Sequence, residues 1–115
     1  MDNNLVALFS QSTIAIFPGS LEFGPEPVDK TSPPKTLTLT NPGSAPLRIF
    51  NFHLGGPNAA DFKEANACPS KINVGSNCTV DVTFTPAATG SRAATLSVYD
   101  NAPSTQKIKL TGTGK

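Results

Sequence analysis

Between Asn77 and Asp100 the chain reads NCTVDVTFTPAATGSRAATLSVYD, two runs in which apolar and polar residues alternate one for one. A period of two suits a strand with one buried face and cannot lay down an apolar helical stripe. In the first run Cys78, Val80, Val82 and Phe84 share one face, opposite Thr79, Asp81, Thr83 and Thr85. In the second, Ala94, Leu96 and Val98 point inward and Thr95, Ser97 and Tyr99 outward. The short Pro/Gly connection between the runs reads as the loop of a β-hairpin. Eleven prolines and nine glycines fall between runs of this kind, which argues against a helical protein and for strands divided by turns.

The pattern recurs along the chain. Thr13 to Phe17 (TIAIF) is a first run, ended by Pro18-Gly19, and Ser20 to Gly24 (SLEFG) a second, with Leu21 and Phe23 on one face. Pro25, Pro27 and Pro33-Pro34 then oppose regular ladder bonding, so residues 25–34 read as a sheet edge or a loop. Lys35 to Asn41 (KTLTLTN) alternates again, with Leu37 and Leu39 inward, and Asn41-Pro42-Gly43-Ser44 is a turn. In Pro46 to Leu54 (PLRIFNFHL), Leu47 and Ile49 have one parity and Phe52 and Leu54 the other. A bulge near Phe50-Asn51 restores a single buried face; burial of both faces is the alternative. Asn58 to Phe62 fits one helical turn or a loop with Phe62 plugging the core, and Cys68 to Gly75 is irregular, with Ile72 and Val74 as apolar contacts. Gln106 to Gly112 is the last strand, with Ile108 and Leu110 inward; its outward Lys107 and Lys109 suit a protected edge. Seven or eight such strands predict an all-β fold, an antiparallel immunoglobulin-like sandwich.

The 115 residues suit one domain. The expected organisation is a single domain over residues 13–114. Residues 1–12, with apolar Leu5, Val6, Leu8 and Phe9, are read as a linker, a tag remnant or an added edge strand, and Met1 to Asn4 do not resemble the start of a signal peptide. Nine basic and eight acidic residues are scattered without a basic stripe, which argues against nucleic-acid partners. No apolar run is long enough for a helical membrane span, and no membrane insertion is expected. Cys68 and Cys78 lie ten positions apart. Buried free thiols and a disulfide both fit; a disulfide is the preferred reading, and closing so short a loop contributes roughly 3 kcal/mol and implies an oxidising compartment. Two cysteines and one distant histidine are too few ligands for a metal site.

The stretches SLEFGPEPV (20–28), SPPKTLTLTNPGSAPLRI (32–49), NAADF (58–62), NCTVDVTFTPAATGSRAATLSVYDNAP (77–103) and KIKLTGTG carry a family resemblance in their order and spacing. The chain resembles the ASH-type immunoglobulin-like domain, named for abnormal-spindle and Hydin proteins, and most closely the bacterial choice-of-anchor D repeats. The resemblance implies a sandwich related to the major sperm protein and pilus-chaperone folds. It implies a repeat of a large secreted or surface protein in bacteria, or a role at cilia, centrosomes and microtubules in eukaryotes. The cysteine pair resembles the bacterial branch. Asp29-Lys30 departs from the pattern, since such repeats often have glycine there.

Nothing in the sequence assembles a catalytic centre. His53, the sole histidine, points outward and lacks a nucleophile at a recognisable spacing. Asp61, Glu64 and Asp81 read as separate, solvated carboxylates. There is no phosphate loop, and no cofactor is expected. The Asn77-Cys78-Thr79 sequon is a poor acceptor if Cys78 is bridged. The expected function is therefore a non-catalytic structural or interaction module, monomeric in isolation. It would be secreted or at a bacterial cell surface, with protein partners or neighbouring repeats of its own chain. Tyr99, Phe50 and His53 are the candidate contact residues. A carbohydrate or cell-wall binding module and an intracellular cytoskeletal or ciliary adaptor are the alternatives.

Overall fold

The inward faces foreseen in the alternating runs meet each other across two stacked sheets. The computed structural model describes residues 14–102 and 105–115; the readings of residues 1–12 and of Thr13 lie outside them. The described elements are β1 (Ala15–Phe17), β2 (Ser20–Glu26), β3 (Lys35–Thr40), β4 (Leu47–Gly55), a 3-10 turn (Ala59–Asp61), β5 (Phe62–Asn66), β6 (Lys71–Ile72), β7 (Asn77–Phe84), β8 (Gly90–Asp100) and β9 (Gln106–Gly114). One sheet has the order β1-β3-β7-β5 and the other β2-β9-β8-β4-β6. All pairs are antiparallel except β2 with β9, which run parallel. This is an immunoglobulin-like sandwich.

Leu37, Leu39, Val80, Val82 and Phe84 from the first sheet face Leu47, Leu96, Val98, Ile108 and Leu110 from the second, all essentially inaccessible to solvent. Each such side chain stabilises the fold by about 1.5–3 kcal/mol through burial. Phe23, Phe62 and Phe84 form an aromatic cluster at one end of the core, with centroids 4.9–5.8 Å apart. In β4 the register with β8 shifts between Ile49 and Asn51. That is the bulge required by parity, and it keeps Leu47 and Ile49 buried with Phe52 and Leu54 packed against the core. Asn41 is fully buried at the β3–β4 turn. Its amide donates to the carbonyls of Ala45 and Ile72 and its Oδ1 accepts from Gly43 N–H, so one side chain satisfies two chain reversals.

Several expectations are corrected. β7 and β8 are not a hairpin, because they belong to different sheets. The five residues between them arch across the sandwich, and their polar groups bond to other segments: Thr85 N–H to Asp61 O, and Pro86 O from Asp29 N–H. Nine strands are described in place of seven or eight. The added strand β5 buries only Phe62 and is otherwise polar or exposed, so it carries no alternation. β9 lies between β2 and β8 from Lys109 onward, so Lys109 does not guard an edge, whereas Lys107 lies before the paired part of β2. Val74 is exposed rather than a core contact, and Ser97 is buried on its outward face. The proline-rich edge is β2 itself, which runs through Pro25 with a register shift after Glu22. Asp29 has φ +67°, the left-handed conformation that glycine adopts without penalty and aspartate tolerates.

Gly112 on β9 lies beneath the Phe84 ring, where an added Cβ would come within 2.5 Å of the ring carbons. Gly112→Ala is expected to cost about 1–3 kcal/mol by overpacking. A urea unfolding midpoint unchanged from wild type would show that the ring can move aside.

Candidate functional site: the open seam between β4 and β5

The two sheets meet solvent along two sides, and the sides differ. Along one of them β5 ends the first sheet. In the second sheet β6 pairs only with Leu47 and Arg48, and Ile49 N–H is taken by Ser70 O at 2.9 Å. Past Ile49, β4 has no further strand partner on that side among the described residues. A cleft of about 280 Å³ opens there between the sheets, lined by Ile49 to Phe52 of β4, Glu64 and Asn66 of β5, and Cys68 to Ser70 of the crossing between β5 and β6. Its wall mixes aromatic carbon with carboxylate, amide and hydroxyl groups. Phe50, at the bulge, is 66% exposed.

Each end of β5 is fixed. At the cleft end, Cys68 and Cys78 form a disulfide with Cα atoms 5.1 Å apart. It ties the segment after β5 to the start of β7. Asn66 braces the same corner, accepting from Cys68 N–H and donating to Glu64 Oε1, both at 3.1 Å. At the other end Asp61 is 5% exposed, which corrects the reading of a solvated carboxylate. Its Oδ2 accepts from Arg92 Nε of β8 at 2.6 Å and from Ala87 N–H at 3.3 Å. The hydrogen bond from Arg92 is the largest influence on the carboxyl and holds it below its ordinary range, against the opposing effect of burial.

A model of the HYDIN/CFA65/VesB-like, Ig-like domain matches residues 14–113. The chain belongs to this family. Among solved structures, a protein of unknown function from Porphyromonas gingivalis W83 is similar with a TM-score of 0.75 at 18% identity, over 92% of this chain and 48% of that one. The ASH / PapD-like domain of human CEP192 (PapD-like domain 7) gives 0.67 at 17%, over 89% and 84%. The secreted serine protease VesC from Vibrio cholerae gives 0.65 at 14%, over 98% of this chain and 25% of that one. At these identities the likeness shows the fold. The chain thus spans about half of the first of these proteins and a quarter of VesC. No curated protein matches the chain significantly.

Within this Ig-like domain the three candidate contact residues do not form one surface. Phe50 lines the seam. Tyr99, opposite Asn51, and His53, opposite Ser97, lie on the outer face of the five-stranded sheet. Asp81 is separate, on the outer face of the other sheet, and accepts from Thr36 Oγ1 at 2.7 Å. Among the described residues no three His, Cys, Asp or Glu side chains converge as metal ligands. One further carboxylate was not singled out in the sequence. Asp100, opposite Ile49 at the end of β8, has a buried Oδ2 without a partner, and burial raises its pKa above the ordinary value. Neither Asp61 nor Asp100 carries a local sequence signal. Asp61 is recognised only through Arg92, 31 residues away.

Replacing both Cys68 and Cys78 by alanine is expected to lower unfolding free energy by about 3 kcal/mol and to broaden amide signals from Phe50 to Phe52 and from Glu64 to Asn66. Unchanged spectra there would show that the bridge does not shape the cleft. Asp61→Asn is expected to cost about 1–3 kcal/mol at neutral pH, from weakened buried hydrogen bonds. Because the folded pKa is depressed, the stabilisation from Asp61 is present above its ordinary value of 3.8 and lost as pH falls below it toward the folded value. Thermal melts should therefore separate wild type from variant at pH 7 and converge in acid; a pH-independent gap would refute the ionic contribution.

Proposed function

We propose that this Ig-like domain is a non-catalytic interaction module of a larger exported chain, and that it docks protein partners or neighbouring domains through the seam between β4 and β5. The observation that carries this reading is the exposed Phe50 ring, held at a bulge beside a cleft whose β5 wall is fixed at its two ends by the disulfide and by Asp61–Arg92. A large apolar group displayed on a fixed frame is a means of gaining contact area with little loss of conformational entropy. Glu64 is the sole ionisable side chain in the cleft lining, which lacks the paired nucleophile and base of covalent catalysis.

The disulfide supports an oxidising compartment, and therefore a secreted or cell-surface setting over an intracellular one. The resemblance to bacterial choice-of-anchor D repeats and the similarity to part of a secreted protease support the same setting. Phe50 and Tyr99 lie on different surfaces, and the chain has no tryptophan, which favours protein docking over a stacked sugar platform. In isolation the domain is monomeric, and its seam is filled only in the context of its partner.

Lys63 and Lys71 are exposed on the strands flanking the seam. Lysine-reactive crosslinking of the chain as its host produces it should link these two residues to another domain or protein. Phe50→Ser should reduce those links severalfold without shifting the melting temperature. Links confined to this domain, or links indifferent to Phe50→Ser, would overturn the reading.

A further inference from the structure

The outer face of the five-stranded sheet holds a second feature, which neither the fold nor the seam explains. Lys109 projects from β9 where β2 pairs with it, so it has no edge to protect, and Lys107 projects two residues earlier, before the paired part of β2 begins. Neither is in an ion pair; Arg92–Asp61 is the ion pair among the described residues. The register places His53, Ser97 and Lys107 in one row across the face, and Gly55, Thr95, Lys109 and Ser20 in the next. The nearest carboxylate in the register, Glu22, is one row further on, opposite Thr111. Beside the lysines is a groove of about 280 Å³, lined by Pro57, Ala93, Ala94, Thr95 and the two lysines. Its Pro57 wall is fixed. Asn58 exchanges two 2.9 Å hydrogen bonds with the backbone of Ala93, and Gly56, at φ +102°, has so little room that an added Cβ would come within 3.2 Å of Ala94 Cα.

We propose that this groove binds an extended acidic peptide segment of the pattern acidic-x-acidic-x-apolar. Two residues apart on one strand, the lysines are spaced by roughly 6.6–6.8 Å. An extended ligand running along β9 repeats at the same interval, so carboxylates at its first and third positions meet both ammonium groups. A side chain at its fifth position continues over Thr111 and the neighbouring Ala93, where Ala93, Thr95 and Pro57 offer carbon on the groove side and Glu22, opposite Thr111 on the other side, disfavours a third carboxylate. Exposed ion pairs bind weakly one at a time. The ligand therefore needs both carboxylates and the apolar group together, and its binding is sensitive to salt. This surface is distinct from the seam, and the two can be occupied independently.

The test uses the disulfide-bonded chain, labelled with ¹⁵N, and the peptide acetyl-Ala-Glu-Ala-Glu-Ala-Leu-Ala-amide. Saturable shift changes are expected at Ala93, Thr95, Lys107 and Lys109, with Phe50 and Glu64 unmoved. The Kd should rise about tenfold in Lys107→Glu and in Lys109→Glu, and severalfold when Leu in the peptide becomes Ala. Substituting both Glu of the peptide by Gln should abolish the shifts. Both variant sites are exposed, and matching melting temperatures confirm that the variants are folded. Absence of saturable shifts at the groove would overturn the proposal, as would equal binding of the Gln peptide. Tighter binding of a short oligothymidylate than of the acidic peptide would also overturn it, by marking a general polyanion surface.

Discussion

A buried carboxylate must be given donors, and the donors of Asp61 come from parts of the chain that would not otherwise meet. Arg92 approaches from β8 and Ala87 N–H from the arch before it, and the Asp61 carbonyl takes Thr85 N–H from the end of β7. Left unpaired, that charge would oppose folding by several kcal/mol. Satisfying it brings the arch against the 3-10 turn and carries the chain from one sheet to the other. β7 and β8 can then face each other across the core instead of pairing side by side. The aromatic cluster of Phe23, Phe62 and Phe84 lies at the same end of the sandwich, so the ion pair and the largest apolar groups constrain one another.

The disulfide does the corresponding work at the opposite end of β5. An edge strand of five residues, most of them polar or exposed, has little burial of its own to hold it against β7. Fixing it at both ends compensates for that weakness and leaves the space beyond its middle open. The free edges are short or interrupted: β1 has three residues, β6 two, and β2 contains Pro25. Such edges are poor templates for indiscriminate pairing. β4 past Ile49 is the exception, and the one aromatic ring displayed along the seam stands beside it.

The inner faces were legible because burial imposes a parity on every strand. Leu37 and Leu39, the run from Cys78 to Phe84, and Ile108 with Leu110 are buried as their alternation requires. The bulge in β4 was legible for the same reason, since Leu47 and Leu54 cannot share a face without it. Topology was not. A five-residue connection suits a hairpin and an arch equally well, and only its bonds to Asp61 and Asp29 decide between them. The position of β9 inside its sheet depends on the parallel pairing of β2, whose prolines argued only for an edge. Of the candidate contact residues, their outward direction was readable but not their division between the seam and the outer face. That division follows from the bulge, which turns Phe50 out of the alternation that places His53 and Tyr99.

Identities of 14–18% to proteins of closely similar shape indicate how little the outward residues are dictated by the fold. The sandwich needs its inner faces, its fixed corners and a few small residues such as Gly112, and most other positions are free to carry the chemistry of a partner. In this chain that freedom is used unevenly. The outer face of the four-stranded sheet carries Thr36, Thr38, Thr40, Thr79 and Thr83 around Asp81, which is already hydrogen-bonded to Thr36. The five-stranded face instead displays two lysines in no ion pair among the described residues, next to an apolar groove and with Glu22 one row away. A complementary anion there meets charge that the fold itself does not use.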